Sequence, residues 1–256
     1  MRFLLVLLVS ACLAVPVRAD IASAAEALRK GDAAEMTALA EKGDARAQAM
    51  LAEALLMGRG VLQDEGKAVE WAKAAARQGN LQSQLMLAQL YQQGSAVAQD
   101  PGESARWLEM AATQGDATAQ LELGGRYLSG IGVHKNGEKA LTWMEKAAGQ
   151  GDPQAQLQLG LVHANGAAGT ADPAAAMTWI TRAADQGFVE ALMTLGMINV
   201  RGVFGFQDLA SAYKWFRLAA DRGEDRAMEI SSQLEKEMSA GDLARAKEMV
   251  DAWTPK

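Results

Sequence analysis

The sequence is poor in the residues that build reactive or cross-linked sites, with one cysteine and two histidines among 256 residues. One cysteine cannot form an internal disulfide, and two histidines without nearby ligand-spaced partners do not make a metal site. Positive charge is also scarce, because 25 Lys and Arg face 31 Asp and Glu. This balance argues against a nucleic-acid surface, which needs clustered cations. Proline is rare as well, at five residues, which favours a helical chain.

Residues 1–19 are predicted to form a signal peptide. Arg2 precedes an apolar run that is too short to be a permanent membrane span, and Val17 and Ala19 are the small residues expected before a cleavage site. The competing interpretation is a lipoprotein signal, in which Cys12 carries a lipid anchor. Both interpretations predict export: to the periplasm or the medium in the first case, and as a lipoprotein in the bacterial envelope in the second.

Glycine and tryptophan recur with a period of 36 residues. The periodic residues are Gly43, Gly79, Gly115, Gly151, Gly187 and Gly223, and Trp71, Trp107, Trp143, Trp179 and Trp215. A fixed period of about 20 to 50 residues is typical of a solenoid, in which each repeat buries its apolar face against its neighbours. The period therefore predicts a binding scaffold and does not identify the partner.

Each repeat is predicted to contain two helices. In the first repeat, a helix over 45–57 presents Leu51 and the small residue Ala52 to its neighbours, and the small residue allows close approach. In the second helix, Trp71 shares an apolar stripe with Ala68. Trp71 is expected to fill the space that Ala52, the small residue of the first helix, leaves open.

Other residues with the same period mark the helix ends. The first helices are expected to end at left-handed glycines, namely Gly58, Gly94, Gly130, Gly166 and Gly202. The second helices are expected to begin after N-cap residues, namely Asp64, Asp100, Asn136, Asp172 and Asp208.

The recurring pattern resembles the Sel1-like repeat of the tetratricopeptide-like superfamily. The residues that carry the resemblance in the first repeat are Leu51, Ala52, Gly58, Asp64, Ala68, Trp71, Ala75, Ala76 and Gly79. The resemblance implies an all-α fold, a right-handed α/α superhelical solenoid of 36-residue helix-turn-helix repeats with helical caps. The predicted organisation is a signal peptide at 1–19, an N-terminal helical cap at 20–43, repeats at 44–79, 80–115, 116–151, 152–187 and 188–223, and a half repeat with a capping helix at 224–256.

The resemblance also implies a role. It predicts a non-enzymatic exported adaptor that binds a protein or peptide segment in a concave groove, in envelope regulation, secretion or host contact. The alternative is a cell-wall-directed enzyme or a binder of peptidoglycan fragments, which the absence of the cysteines found in some exported members makes weaker. No catalytic residue, metal or cofactor is predicted, and the oligomeric state is left open.

A stripe on the first helices, opposite the packing face and spaced i, i+4, i+7 and i+11, is predicted to line the groove. This lining stripe comprises Arg46, Met50, Glu53, Met57, Met86, Gln89, Gln93, Glu122, Ser129, Gln158, Leu161, Asn165, Thr194, Met197 and Arg201. Its composition changes between repeats while the packing positions repeat, as expected of a binding surface; simple solvent exposure is the competing explanation. Two cations among these residues argue against a clamp for a terminal carboxylate.

An aromatic pair and two histidines are the remaining candidate residues. Phe204 and Phe206 lie in the loop of the fifth repeat and form a candidate secondary patch, or alternatively cover the junction with the C-terminal cap. His134 falls in a predicted loop, and His163 occupies a position where earlier repeats have tyrosine, which indicates packing rather than catalysis.

Overall fold

The computed structural model of the chain describes residues 33–255, so the predicted signal peptide and residues 20–32 of the predicted cap lie outside the described residues. Within that range the chain forms thirteen α-helices and no strand, which confirms the predicted all-α class. The helices are α1 (Ala33–Glu41), α2 (Ala45–Met57), α3 (Glu65–Arg77), α4 (Leu81–Gln93), α5 (Pro101–Thr113), α6 (Ala117–Ser129), α7 (Gly137–Gly149), α8 (Pro153–Asn165), α9 (Pro173–Asp185), α10 (Val189–Arg201), α11 (Leu209–Ala220), α12 (Asp225–Glu237) and α13 (Ala240–Asp251).

The helices belong to two compact units, Met1–Gln114 and Gly115–Lys256. In the first unit, helices α1 to α5 pack against their neighbours along the chain, and helices α6 to α11 do the same in the second unit. Helix α11 packs against both α12 and α13. Packing between chain neighbours is the pattern of an α/α solenoid, in which each repeat is stabilised by the next.

The helix ends carry the caps that the sequence predicts. Asp64 accepts a hydrogen bond from the Lys67 amide at 2.9 Å, and the other predicted N-caps act in the same way. The first helices end at left-handed glycines, such as Gly58 with φ of 65°. Phe188 is a departure, because it precedes α10 without a side-chain cap, where the earlier first helices have Asp or Asn. The first amides of α10 are therefore left without a side-chain acceptor at this position.

Small residues let the two helices of a repeat approach closely, but the tryptophans do not fill the gap. A Cβ atom on Gly160 would lie 2.5 Å from Ile180 Cγ1, and one on Gly196 would lie 2.7 Å from Phe216 Cζ. We call the space beside each of these glycines a notch. The side chain that fills the notch follows the tryptophan of its repeat by one position in the sequence. In the third to fifth repeats, the prediction that the indoles fill the notches is therefore wrong.

The direction of side chains on a helix accounts for this difference. Successive residues rotate by about 100° around a helix, so in the third to fifth repeats the residue after the tryptophan faces the notch and the indole points elsewhere. Ile180 and Phe216 are fully buried, whereas only two of the five periodic tryptophans are buried and three are half-buried. Cations cover some of the indole faces; Lys146 Nζ lies 4.1 Å from the ring centroid of half-buried Trp143.

Paired glutamines, which the sequence analysis did not identify, join the ends of the two helices in four repeats. In each pair, Nε2 of the first glutamine donates to Oε1 of the second. The pairs are Gln78–Gln48 at 2.8 Å, Gln114–Gln84 at 2.6 Å, Gln150–Gln120 at 2.9 Å and Gln186–Gln156 at 2.9 Å. The acceptors are buried, and Gln48 donates in turn to the carbonyl of Ala40 at 3.0 Å. The pairs thus satisfy buried polar groups at each junction. The fifth repeat has Leu192 and Arg222 at these positions instead.

Polar contacts attach the last two helices to α11. The hydroxyl of Tyr213 on α11 donates to Glu235 Oε1 on α12 at 2.6 Å, and Lys247 Nζ on α13 lies 3.3 Å from the same oxygen. The guanidinium of Arg222 lies 4.7 Å from the ring centroid of Trp253. Helices α12 and α13 therefore form a specific end to the array rather than another repeat.

Truncation of a notch-filling side chain should destabilise the fold strongly. Phe216→Ala leaves a cavity against Gly196 and should lower the free energy of unfolding by about 3–5 kcal/mol. Phe206→Ala removes an equally large side chain that is fully exposed. This substitution should change the free energy of unfolding by less than about 0.5 kcal/mol. Urea unfolding followed by circular dichroism checks both values. Equal effects of the two substitutions would contradict the notch assignment.

The Tyr213–Glu235 contact predicts a pH dependence. The hydrogen bond from Tyr213, assisted by Lys247, lowers the pKa of Glu235 below its ordinary value of 4.5. A lowered folded-state pKa stabilises the protein above about pH 4.5, and this contribution is lost as the pH falls through the folded pKa. Burial and Glu235 raise the pKa of Tyr213 from 10.0 to about 12, so its contribution is present below pH 10.0 and is lost between 10.0 and about 12.

Glu235→Gln should therefore flatten the acid limb of the stability profile, measured as the urea midpoint against pH. Glu229→Gln on the same helix is the control, since Glu229 is exposed. An unchanged acid limb in Glu235→Gln would show that this contact does not contribute to acid unfolding.

Candidate protein-binding surface

The lining stripe lies outside the buried core. Ten of its residues are exposed and five, Met50, Glu53, Met86, Thr194 and Met197, are half-buried. Its apolar members include Met57 and Leu161, which are 57% and 41% exposed. The stripe is therefore accessible on the first helices of the repeats, and its role in binding stays a prediction.

Each unit carries part of the lining stripe. Helices α2 and α4 of the first unit carry Arg46, Met50, Glu53, Met57, Met86, Gln89 and Gln93. Helices α6, α8 and α10 of the second unit carry Glu122, Ser129, Gln158, Leu161, Asn165, Thr194, Met197 and Arg201.

Several polar members of the stripe already use their side chains within their own helix. Glu122 forms an ion pair with Arg126 at 2.7 Å. The hydroxyl of Ser129 donates to the carbonyl of Gly125 at 3.0 Å, and that of Thr194 donates to the carbonyl of Glu190 at 2.6 Å. A partner would have to compete with these bonds. Glu122, Ser129 and Thr194 are therefore weaker candidates for partner contact than the exposed glutamines of the stripe.

Three stripe residues meet at a pocket in the second unit. Thr194, Met197 and Arg201 line a cavity of about 370 Å³ together with four residues that the sequence analysis did not select. The added residues are Met193, Ile198, Val203 and Arg226. This volume is near the lower end of the range for ligand pockets.

The pocket follows from the helix period and from the turn after α10. Met193 and Met197 are four residues apart, and Ile198 and Arg201 lie on the adjoining turns, so one side of α10 forms the pocket floor. The helix ends at Gly202 with φ of 62°, and this places Val203 at the rim. Arg226 comes from the second position of α12. Its contribution depends on how α12 packs, which the 36-residue period does not encode.

Both pocket arginines are exposed, and within residues 33–255 neither forms an ion pair with a carboxylate. Other arginines of the second unit are engaged; Arg217 is paired with Asp221 at 3.0 Å, and Arg182 lies 4.5 Å from the ring centroid of Trp179. The pocket thus combines an apolar floor with two guanidinium groups that have no counterion in the described part of the chain.

The predicted secondary patch adjoins the pocket through the chain. Val203, at the pocket rim, is 55% exposed and directly precedes Phe204, which is half-buried. Phe206 is fully exposed and therefore covers no junction with α12 or α13. The loop after α10 thus presents an exposed aromatic ring three residues after Val203 in the sequence.

The histidines lie where the sequence suggested. His134 is exposed in the loop between α6 and α7, and His163 is half-buried on α8. Across residues 33–255 no three His, Cys, Asp or Glu side chains are grouped so that they could hold a metal ion. In that same stretch, no helix has both the length and the apolar character needed to cross a bilayer.

Comparison with protein families gives a direct match. The model of the Sel1 repeat matches residues 45–80, 81–116, 117–152, 153–188 and 189–224. The chain therefore belongs to the Sel1 repeat family, as the resemblance implied. The matched boundaries fall one residue after those predicted from the sequence. A comparison with curated proteins gives no match.

Solved structures show the same fold. The chain is similar to c5321, a protective antigen of uropathogenic Escherichia coli with an SLR fold, at 30% identity and a TM-score of 0.67, covering 93% of this chain and 53% of that one. It is also similar to a Sel1 repeat protein from Oxalobacter formigenes, at 25% identity and a TM-score of 0.65, covering 93% and 97% of the two chains. The chain thus spans about half the length of the E. coli protein. Sel1 repeat solenoids are typically protein-interaction scaffolds.

Proposed function

We propose that this protein is a non-enzymatic exported adaptor that holds a segment of a partner protein on the lining stripe of its repeats. The observation that carries the proposal is the contrast between two faces of the same helices. The packing positions repeat and are buried, whereas the stripe varies from repeat to repeat and is accessible. A solenoid uses such an extended, variable surface to recognise a partner.

The proposal places the adaptor in envelope regulation, secretion or host contact. Export rests on the signal peptide expected at 1–19, and the description of the E. coli relative as a protective antigen supports host contact among the three settings. Nothing among residues 33–255 favours the cell-wall enzyme over the adaptor.

The stripe of the first unit tests the adaptor role. A partner is first identified by crosslinking in the native envelope, and its affinity is then measured for the wild type and for a Met86→Ala, Gln89→Ala, Gln93→Ala triple variant. These side chains are not fully buried, so the variant should keep its helical circular dichroism. We expect binding to fall by about tenfold or more, because a few central contacts supply most of the energy of an interface.

The matched control substitutes three exposed residues on the second helices of the same unit, Glu70→Ala, Arg77→Ala and Glu109→Ala. This control should bind the partner within about twofold of the wild type, since these residues lie off the stripe. Retained binding by the stripe variant, or equal loss in both variants, would refute the proposed surface.

The export step has its own test. Mass spectrometry of the protein isolated from its native host should give a mature chain that begins at Asp20. A lipid-modified chain that begins at Cys12 would support the lipoprotein alternative instead. An intact chain that retains Met1 in the cytoplasm would contradict export.

A further inference from the structure

The pocket at α10 combines two kinds of surface. Its floor is made by Met193, Met197 and Ile198 and its rim by Val203, all apolar, while Arg201 and Arg226 supply positive charge. Methionine adapts its shape to different apolar side chains. Such a floor suits an aliphatic side chain, and the guanidinium groups suit carboxylates, which they bind in a bidentate geometry.

We propose that this pocket receives an aliphatic side chain of the partner segment, and that acidic side chains next to it in the partner pair with Arg201 and Arg226. The inference rests on the proposed function, since it names the chemistry of the segment that the adaptor holds. It assigns a specific contact to the end of the stripe that lies in the second unit, and its partner motif is an internal acidic–aliphatic–acidic sequence.

Charge complementarity is the first argument for this occupant. The chain has a net charge of -6, and the two arginines that line the pocket make it a local positive site. Arg201 and Arg226 belong to different helices, α10 and α12, and neither is paired with a carboxylate among the described residues. Carboxylates of one ligand can therefore occupy both without breaking an existing ion pair.

The openness of the pocket is the second argument. Arg201 and Arg226 are exposed and Val203 is 55% exposed, so the cavity opens to solvent along its rim. An acyl chain of a lipid would remain partly in water there, which is unfavourable for a long apolar chain. An extended peptide can insert one side chain and keep its backbone hydrated, which matches an open pocket of about 370 Å³.

Synthetic peptides test the motif directly. The probe is a fluorescently labelled peptide with the sequence Gly-Glu-Glu-Leu-Glu-Glu-Gly, acetylated and amidated so that it has no terminal charge. We expect the full-length mature protein to bind it, and binding to weaken as salt is added. Peptides with Gln in place of every Glu, or with Ser in place of Leu, should bind at least about tenfold more weakly.

Variants of the protein locate the site. Arg201→Gln and Arg226→Gln should each lower the affinity of the protein for the peptide by about tenfold. Arg77→Gln is the matched control, because Arg77 is an exposed arginine at the end of α3 that lies off the stripe, and it should leave the affinity within about twofold. Circular dichroism of each variant confirms that it is folded.

Four outcomes overturn the inference. They are no binding of the acidic peptide, equal binding of the Gln peptide, binding only by a peptide with a free C-terminal carboxylate, and binding of decanoate but not of the peptide. Equal loss of peptide affinity in Arg77→Gln and in the pocket variants would overturn the location. The first-unit triple variant separates the two proposals: if that variant loses the native partner while the pocket variants retain it, the pocket inference fails and the adaptor role stands.

Discussion

The close approach of the two helices within each repeat is the constraint on which the rest of the structure depends. In the third to fifth repeats, glycine on the first helix leaves room for one large side chain of the second helix, namely Met144, Ile180 or Phe216. Because a small residue recurs at this position every 36 residues, the same face of each first helix is buried. The opposite face is consequently left accessible in each repeat, and this is where the lining stripe lies. The packing geometry thus decides which residues are free to vary.

Much of the fold was predictable because its signals are local. A left-handed glycine ends a helix through its own φ angle, and an Asp or Asn cap bonds to an amide two or three residues away, so the predicted helix 45–57 agrees with α2. The notch filler was not predicted, since the hydrophobic pattern does not distinguish two adjacent large residues that differ by about 100° in direction. The glutamine pairs join residues 30 apart in the sequence, and a search for paired polar residues with the repeat period would have found them.

The candidate site was predicted only in part for a related reason. Thr194, Met197 and Arg201 follow from the helical spacing of the stripe, and the structure brings them together. Arg226 belongs to α12, beyond the last full repeat, and its position depends on tertiary packing at the end of the array. The fifth repeat also departs from the others at Phe188, which lacks a capping side chain, and at Leu192, which replaces the buried glutamine. The repeat that has diverged most in these respects is the one that carries the pocket.

The glutamine pairs give the array a direction. Gln48, Gln84 and Gln156 each complete their buried amide with a carbonyl of the preceding helix, at Ala40, Ala76 and Ala148. Removal of helices from the C-terminal side leaves the bonds of the remaining repeats intact. Removal from the N-terminal side instead takes away the carbonyl to which the first remaining glutamine donates. The glutamine bonding of each repeat therefore depends on the helix before that repeat and not on the helix after it.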